Sequence, residues 1–354
     1  MTQDRLTVLV LGVGGNVSQG ILKALAVGNL PCRVIAACVS QFALGLYAAD
    51  RAYLSPYADD PDFFPWLIDT CRAEGVRAVL SGVEPVLMVL AERKEELEKK
   101  TGAVCIVSDL DQYSIGADKL ATCQWLERNG LRFPKYAASE DEEALTTLAS
   151  EYGYPLIAKS RFGKGAREMI RVGNQRDLGL VRSLEGYVVQ EHIGDSDSEY
   201  TAGCFCDDNG RVRGVIVMRR SLMYGTTMWA EVGEFPEIRE EAARIAQALR
   251  PRGPCNVQLR LTRSGAVCFE INVRFSGTTP VRVRLGFNEV EAALRHFVLG
   301  EPAKDFPIIR SGVVMRYWNE MYISPHAFST LRDTGRLEDP RRHGLFVEDW
   351  GNNR

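Results

Sequence analysis

The front of the chain alternates continuous apolar runs with amphipathic stretches. Leu6–Val13 is apolar throughout, as a strand buried on both faces would be. Gly14-Gly15-Asn16 breaks the run, and Val17–Leu25 predicts a helix. Arg33–Val39 predicts a second buried strand, Asp62–Glu74 and Pro85–Lys99 predict helices, and Arg77–Leu80 and Ala103–Val107 predict further strands. Strands alternating with helices at this spacing predict a parallel α/β sheet with right-handed crossovers over residues 1–115.

The pattern then changes to α+β. Ala117–Gly130 and Glu140–Tyr152 predict helices, and Pro155–Lys159 and Met169–Val172 predict short strands around a glycine-punctuated loop. Glu199–Cys206 and Val212–Met218 flank Asp208-Asn209-Gly210, a strong hairpin signal. Pro236–Leu249 predicts a helix, and Asn256–Thr262 with Ala266–Asn272 a second hairpin. Asn288–Leu299 predicts a helix and Gly312–Trp318 a strand; the rest of the tail carries no clear pattern. There is no internal repeat.

Composition narrows the function. A length of 354 residues predicts two domains at about 150 residues each. With 43 basic and 46 acidic side chains, the net charge of -3 argues against a nucleic-acid binder. No stretch reaches the roughly 18 apolar residues of a membrane helix, and no signal peptide is expected. Nine cysteines without a C-x-x-C pair, and four histidines, argue against a disulfide framework or zinc site; a cytoplasmic location is expected.

Candidate chemistry concentrates in the second hairpin. Gln258 and Arg260 share one strand face, and Glu270, Asn272 and Arg274 share one face of the next. The hairpin brings one carboxylate and two amide oxygens together, hard ligands suited to Mg²⁺ completed by substrate phosphates. Such a polar row between apolar neighbours needs partners if buried. Gly163-Lys164-Gly165 is not a Walker motif, but its amides and cation suit phosphate. Gly12-Val13-Gly14-Gly15-Asn16-Val17 lacks the third glycine and the acid after the second strand that a nicotinamide site needs. It is read as a tight turn in a Rossmann-like domain without that cofactor, with a phosphate or substrate contact through the helix amides as the alternative. His192, at the polar end of an apolar strand, is read as structural. Arg219 and Arg220 are candidates for a substrate carboxylate or the γ-phosphate, with their choice open, and Ser276, Thr278 and Thr279 for further substrate contact.

In these residues the chain resembles the ATP-grasp superfamily, and within it the ATP-binding halves of carbamoyl-phosphate synthetase. Phe269-Glu270-Ile271-Asn272-Val273-Arg274 is similar to that group's Glu-x-Asn-x-Arg metal strand, and Gln258 stands where the carbamoyl-phosphate type has Gln. Ala117-Asp118-Lys119, Leu156-Ile157-Ala158-Lys159, Gln190-Glu191-His192-Ile193 and Glu199 follow in the family's order over roughly residues 1–300. The resemblance implies a Rossmann-like domain (1–115), an ATP-grasp lid with the glycine loop (116–190), a central unit with the metal strand (191–305) and a C-terminal strand and tail (306–354). It implies Lys119, Lys159, Gly163, Lys164 and Gly165 on the ATP phosphates, Glu191 and Ile193 on adenine, and Glu199 on ribose. Gln258, Glu270 and Asn272 would hold two Mg²⁺ ions, with Arg274, Arg220 and Lys159 steadying the transferred phosphoryl group. The activity implied is an ATP-dependent carboxylate–amine ligase working through an acyl phosphate on small-molecule substrates. The alternatives are a bicarbonate-dependent carboxyphosphate- or carbamate-forming enzyme and a non-catalytic ATP-binding subunit. A homodimer is compatible with the sequence. The chain has one ATP-grasp unit where carbamoyl-phosphate synthetase has two, and no biotin-attachment signature.

Overall fold

The computed structural model describes residues 5–163, 169–195, 198–306, 309–342 and 344–347. The front unit runs β1 (Leu6–Leu11), α1 (Asn16–Val27), β2 (Cys32–Cys38), β3 (Arg51–Leu54), α2 (Phe63–Glu74), β4 (Ala78–Ser81), α3 (Glu84–Glu92), α4 (Lys94–Thr101) and β5 (Val104–Cys105). β3-β2-β1-β4-β5 form a parallel sheet, so the α/β expectation holds. Alternate residues face opposite cores. Leu9, Leu11, Ile35 and Ala37 pack with α2 and α3, whereas Val8, Val10, Val34 and Ala36 pack with α1. The expected helix Pro85–Lys99 is two helices. Arg93 leaves the helical region (φ -118°, ψ 21°) and stacks on the Phe64 ring, its guanidinium carbon 3.5 Å from the centroid. β3 was not expected; four residues are too few for a period to show.

The lid unit follows α5 (Leu110–Ala117) and α6 (Lys119–Arg128): β6 (Tyr136–Ala138), α7 (Glu142–Tyr152), β7 (Leu156–Ser160), β8 (Met169–Val172), α8 (Gln175–Arg182) and β9 (Tyr187–Glu191). Its antiparallel sheet has the order β6-β9-β7-β8 and its own small core, including Leu145, Leu148, Leu156 and Val189. α5 and α8 were not expected. α5 is polar in its first turn and is held by packing: an added Cβ on Gly116 would lie 2.8 Å from Val273 Cγ2. Lys164 and Gly165 lie outside the described residues.

The central unit contains β10 (Glu199–Cys206), β11 (Val212–Met223), β12 (Thr226–Val232), α9 (Pro236–Leu249), β13 (Gly253–Thr262), β14 (Gly265–Asn272), α10 (Thr279–Arg284) and α11 (Glu289–Ala293), which passes into a π turn at Leu294–Val298. The tail adds β15 (Gly312–Met315), β16 (Met321–Ile323), α12 (Pro325–Thr334), β17 (Arg336–Glu338) and β18 (Gly344–Val347). Strand order is β14-β13-β10-β11-β12-β15, all antiparallel, which is the expected hairpin-rich sheet. β11 runs five residues beyond the expected strand and turns into β12 through Tyr224 and Gly225 at φ 51° and 72°. Two positive φ values suit a tight hairpin turn, but Tyr-Gly is a weaker signal for it than Asn-Gly. The tail is not isolated: β15 extends the central sheet, and β17 pairs antiparallel with β3 of the front sheet. One apolar core runs from the α1 side of the front sheet through Phe205, Ile216 and Phe287. Among the described residues no helix is long and apolar enough to cross a membrane.

Candidate active site

A cavity of about 780 Å³ opens where the three units meet. Its walls come from the α1 N-terminus, the turn after β4, the ends of β7 and β9, and one face of β10–β14.

The β13–β14 register sets Gln258 directly opposite Glu270. Gln258 Nε2 donates to Glu270 Oε1 at 2.7 Å, and Asn272 Nδ2 donates to the same oxygen at 2.8 Å. Arg274 donates to Asn272 Oδ1 at 2.7 Å and to Glu84 Oε1 at 3.1 Å, tying the metal-strand candidate to the front unit. Among the described residues no group of three His, Cys, Asp or Glu is placed to hold a metal. The donors here are instead one carboxylate and two side-chain amides. Turning each amide about its terminal bond would present oxygen in place of nitrogen. That hard, incomplete oxygen set fits Mg²⁺, which keeps water and substrate phosphate in its shell.

Lys159, at the end of β7, donates to Gln190 Oε1 at 2.9 Å and lies 5.0 Å from the Phe269 ring centroid. Burial pushes its ammonium below the usual lysine range, partly opposed by Glu270. Lys119 lowers it further. Lys119 Nζ donates to the carbonyls of Ser160 (3.0 Å) and Gly163 (3.2 Å), holding the base of the glycine loop. Asp118 pairs with Arg161 and caps α6, accepting from Leu120 N–H at 2.9 Å.

Glu191, His192 and Ile193 line the cavity where the lid joins the central sheet. Glu191 exchanges bonds with Lys135: its carboxylate accepts from Lys135 N–H at 2.8 Å, and its own N–H donates to Lys135 O at 2.9 Å. The Ile193 carbonyl accepts from Arg260 at 2.8 Å. Burial and then Arg260 hold His192 below the usual histidine range. Glu199 is bracketed by two arginines, Arg220 on Oε1 at 2.9 Å and Arg260 on Oε2 at 3.2 Å.

Two sequence candidates lie elsewhere. Arg219 and Arg220 are neighbours on β11 and point to opposite faces. Arg220 enters the cavity, while Arg219 pairs with Glu231 at 2.6 Å outside it. Thr279 turns away to donate to buried Glu289 at 2.5 Å, whereas Ser276 and Thr278 line the cavity with their hydroxyls 2.9 Å apart. Glu84 and Arg316 also line the cavity and were not candidates from the sequence. Arg316 continues the parity of Gly312 and Val314, the less exposed face of β15.

The glycine turn serves packing and cleft together. Gly12 has φ 68°, and a Cβ there would lie 2.3 Å from Val83 Cγ2, so no other residue fits without displacement. Gly15 and Asn16 beyond it face the cavity.

Two family models match separate parts of the chain: "PylC-like, N-terminal domain" over residues 8–106, and "ATP-grasp in the biosynthetic pathway with Ter operon" over residues 184–321. Among curated proteins, the carbamoyl phosphate synthase large chain of Corynebacterium glutamicum is 25% identical over 275 residues, covering 73% of this chain and 24% of that one. That of Haemophilus ducreyi is 25% identical over 198 residues, 51% of this chain and 18% of that one. The chain thus spans about a fifth of the length of these relatives. Among solved structures, N5-carboxyaminoimidazole synthetase from Staphylococcus aureus aligns with a TM-score of 0.70 at 14% identity, covering 93% of this chain and 85% of that one. Biotin carboxylase from Campylobacter jejuni, in a β-γ-ATP complex, aligns at 0.69 with 18% identity, covering 90% and 76%. The architecture is therefore a Rossmann-like front domain followed by the ATP-grasp fold.

Proposed function

We propose that this chain is an ATP-dependent ligase that activates a small-molecule carboxylate as an acyl phosphate and joins it to an amine. The observation that carries this reading is the Glu270–Gln258–Asn272 cluster in the same cavity as Lys119 and Lys159. A carboxylate oxygen attacks the γ-phosphorus of ATP, the bond to the β-phosphate oxygen breaks, and ADP leaves. The amine then forms the carbon–nitrogen bond, phosphate leaves with the electron pair of the carbon–oxygen bond, and the amine proton passes to solvent. Phosphoryl transfer asks mainly for positioning and charge neutralisation, which suits a site of lysines, arginines and hard oxygens.

In this reading Lys119 and Lys159 hold phosphate oxygens. Glu191 and Ile193 border adenine, and Glu199 faces ribose from its place between Arg220 and Arg260. Glu270, with Gln258 and Asn272, would hold Mg²⁺, which supplies charge neutralisation of the phosphates. Arg274, bonded to Glu84 and Asn272, would steady the transferred group.

The test is nucleotide product analysis with Mg-ATP, pooled carboxylates and pooled amines. ADP and phosphate that require both pools support the ligase. ADP with bicarbonate alone favours a carboxyphosphate-forming enzyme, AMP refutes the acyl-phosphate route, and binding without turnover in any pool favours a nucleotide-binding subunit.

A further inference from the structure

Six cations line the cavity, and their partners sort them. Arg220 and Arg260 are both spent on Glu199. Arg274 is spent on Glu84. Lys119 and Lys159 share the cavity with Glu270, where the ligase reading puts the polyphosphate. Arg316 is left. Among the described residues its guanidinium has one acceptor, the Gly277 carbonyl, and no carboxylate pairs with it.

The geometry holds Arg316 in place for a ligand. Its backbone N–H donates to Met228 O at 2.8 Å, continuing the β12–β15 ladder, so the residue starts from a sheet and not from a free loop. Its side chain crosses to Gly277, where a Cβ would lie 3.0 Å from Asn16 Nδ2; that leaves backbone as the floor. Ser276, Thr278, Thr226 and Asn16 surround this end of the cavity with neutral hydrogen-bonding groups. Burial lowers the guanidinium below the usual arginine range, with no acid offsetting it. A partly buried, uncompensated fork beside hydroxyls matches a planar oxyanion bound through two parallel hydrogen bonds.

We propose that Arg316 is the specificity-determining residue of the acceptor subsite, and that it holds the carboxylate of the substrate. This rests on the ligase reading. It replaces Arg219 and Arg220, the candidates by sequence, with a residue from the tail.

The test uses the full chain, with Arg316→Gln and Arg316→Lys variants. Succinate and inorganic phosphate are the probes, each titrated calorimetrically with and without Mg-ATP. Succinate binding should weaken about thirtyfold in Arg316→Gln, and partly in Arg316→Lys, which keeps charge but loses the fork. Mg-ATP affinity should stay within about twofold in both variants, a separation that a general loss of structure would not give. Succinate binding unchanged by Arg316→Gln, or absent from the wild type, overturns the proposal. Phosphate binding more tightly than succinate in an Arg316-dependent way overturns the carboxylate assignment. Failure of the wild type to bind Mg-ATP would instead refute the ligase reading, while the nucleotide-free titrations still decide Arg316.

Discussion

Replacing Arg282 with methionine should destabilise the protein by about 3 kcal/mol, the lower end of the range for breaking a buried ion pair. Arg282 and Glu289 are both 0% exposed, and one guanidinium nitrogen lies 3.0 Å from each carboxylate oxygen. The other terminal nitrogen donates to Asn256, which lines the cavity and also accepts from Thr201 at 2.8 Å. The guanidinium lies flat on the β10 backbone, where a Cβ on Gly203 would be 2.4 Å from its central carbon. Without Arg282, Glu289 keeps only the Thr279 hydroxyl among these contacts, and its charge loses its counter-ion in a site closed to water. Three kcal/mol is about a hundredfold in the folding equilibrium. Urea unfolding, followed by far-ultraviolet circular dichroism, measures it. The double variant Arg282→Met with Glu289→Met should regain part of the loss, because paired buried charges replaced together by apolar groups cost little. A loss below about 1 kcal/mol, or a double variant no more stable than the single one, would refute the reasoning.

Other predictions concern charge. Burial alone would raise the Glu74 carboxyl, but hydrogen bonds from Tyr53, Arg51 and Arg33 outweigh it and hold the group below 4.5. A folded-state value below the unfolded one contributes stability above the unfolded value and loses it as pH falls, so wild-type stability should drop below pH 4.5. Glu74→Gln should lose about 2 kcal/mol at neutral pH and show a flatter acid limb in unfolding; an unchanged limb would count against the cluster. For Lys159, whose ammonium burial already disfavours, bound triphosphate would favour the protonated form. Mg-ATP affinity should therefore fall as pH rises from neutrality towards the usual lysine value of 10.5 in the wild type and stay flat in Lys159→Arg; parallel profiles would remove Lys159 from the phosphates. Glu270→Gln should abolish the Mg²⁺ dependence of nucleotide affinity while leaving the thermal midpoint near the wild-type value, and a retained dependence would move the metal elsewhere.

The metal-strand candidate was legible because it is local. The two-residue turn pairs Leu259 with Cys268, and a bulge between Gln258 and Leu259 then shifts the register by one, so that Gln258 opposes Glu270. The sequence showed the shared face of Glu270, Asn272 and Arg274 by alternation within one strand, but not the bulge. Lys159 and Gln190 were legible for the same reason, as ends of short apolar strands. The choice between Arg219 and Arg220 was not, because alternation says that they face opposite ways without saying which way is inward. Thr279 failed as a substrate contact because α10 begins there and turns its hydroxyl to Glu289. The short strands β3 and β6 and the polar-start helix α5 fell below any period detectable in so few residues.

By itself the sequence determined the parallel front sheet, the antiparallel central one, and the polar row of Glu270, Asn272 and Arg274. Each follows from spacings of two to four residues, over which strand and helix geometry leave one arrangement. Tertiary structure alone decided that β15 would lie on β12 and deliver Arg316 to the cavity, that β17 would return to β3, and that Glu84 of the front unit would meet Arg274. These contacts join residues far apart in the chain. They depend on how whole faces bury against one another, and no short-range pattern records that choice.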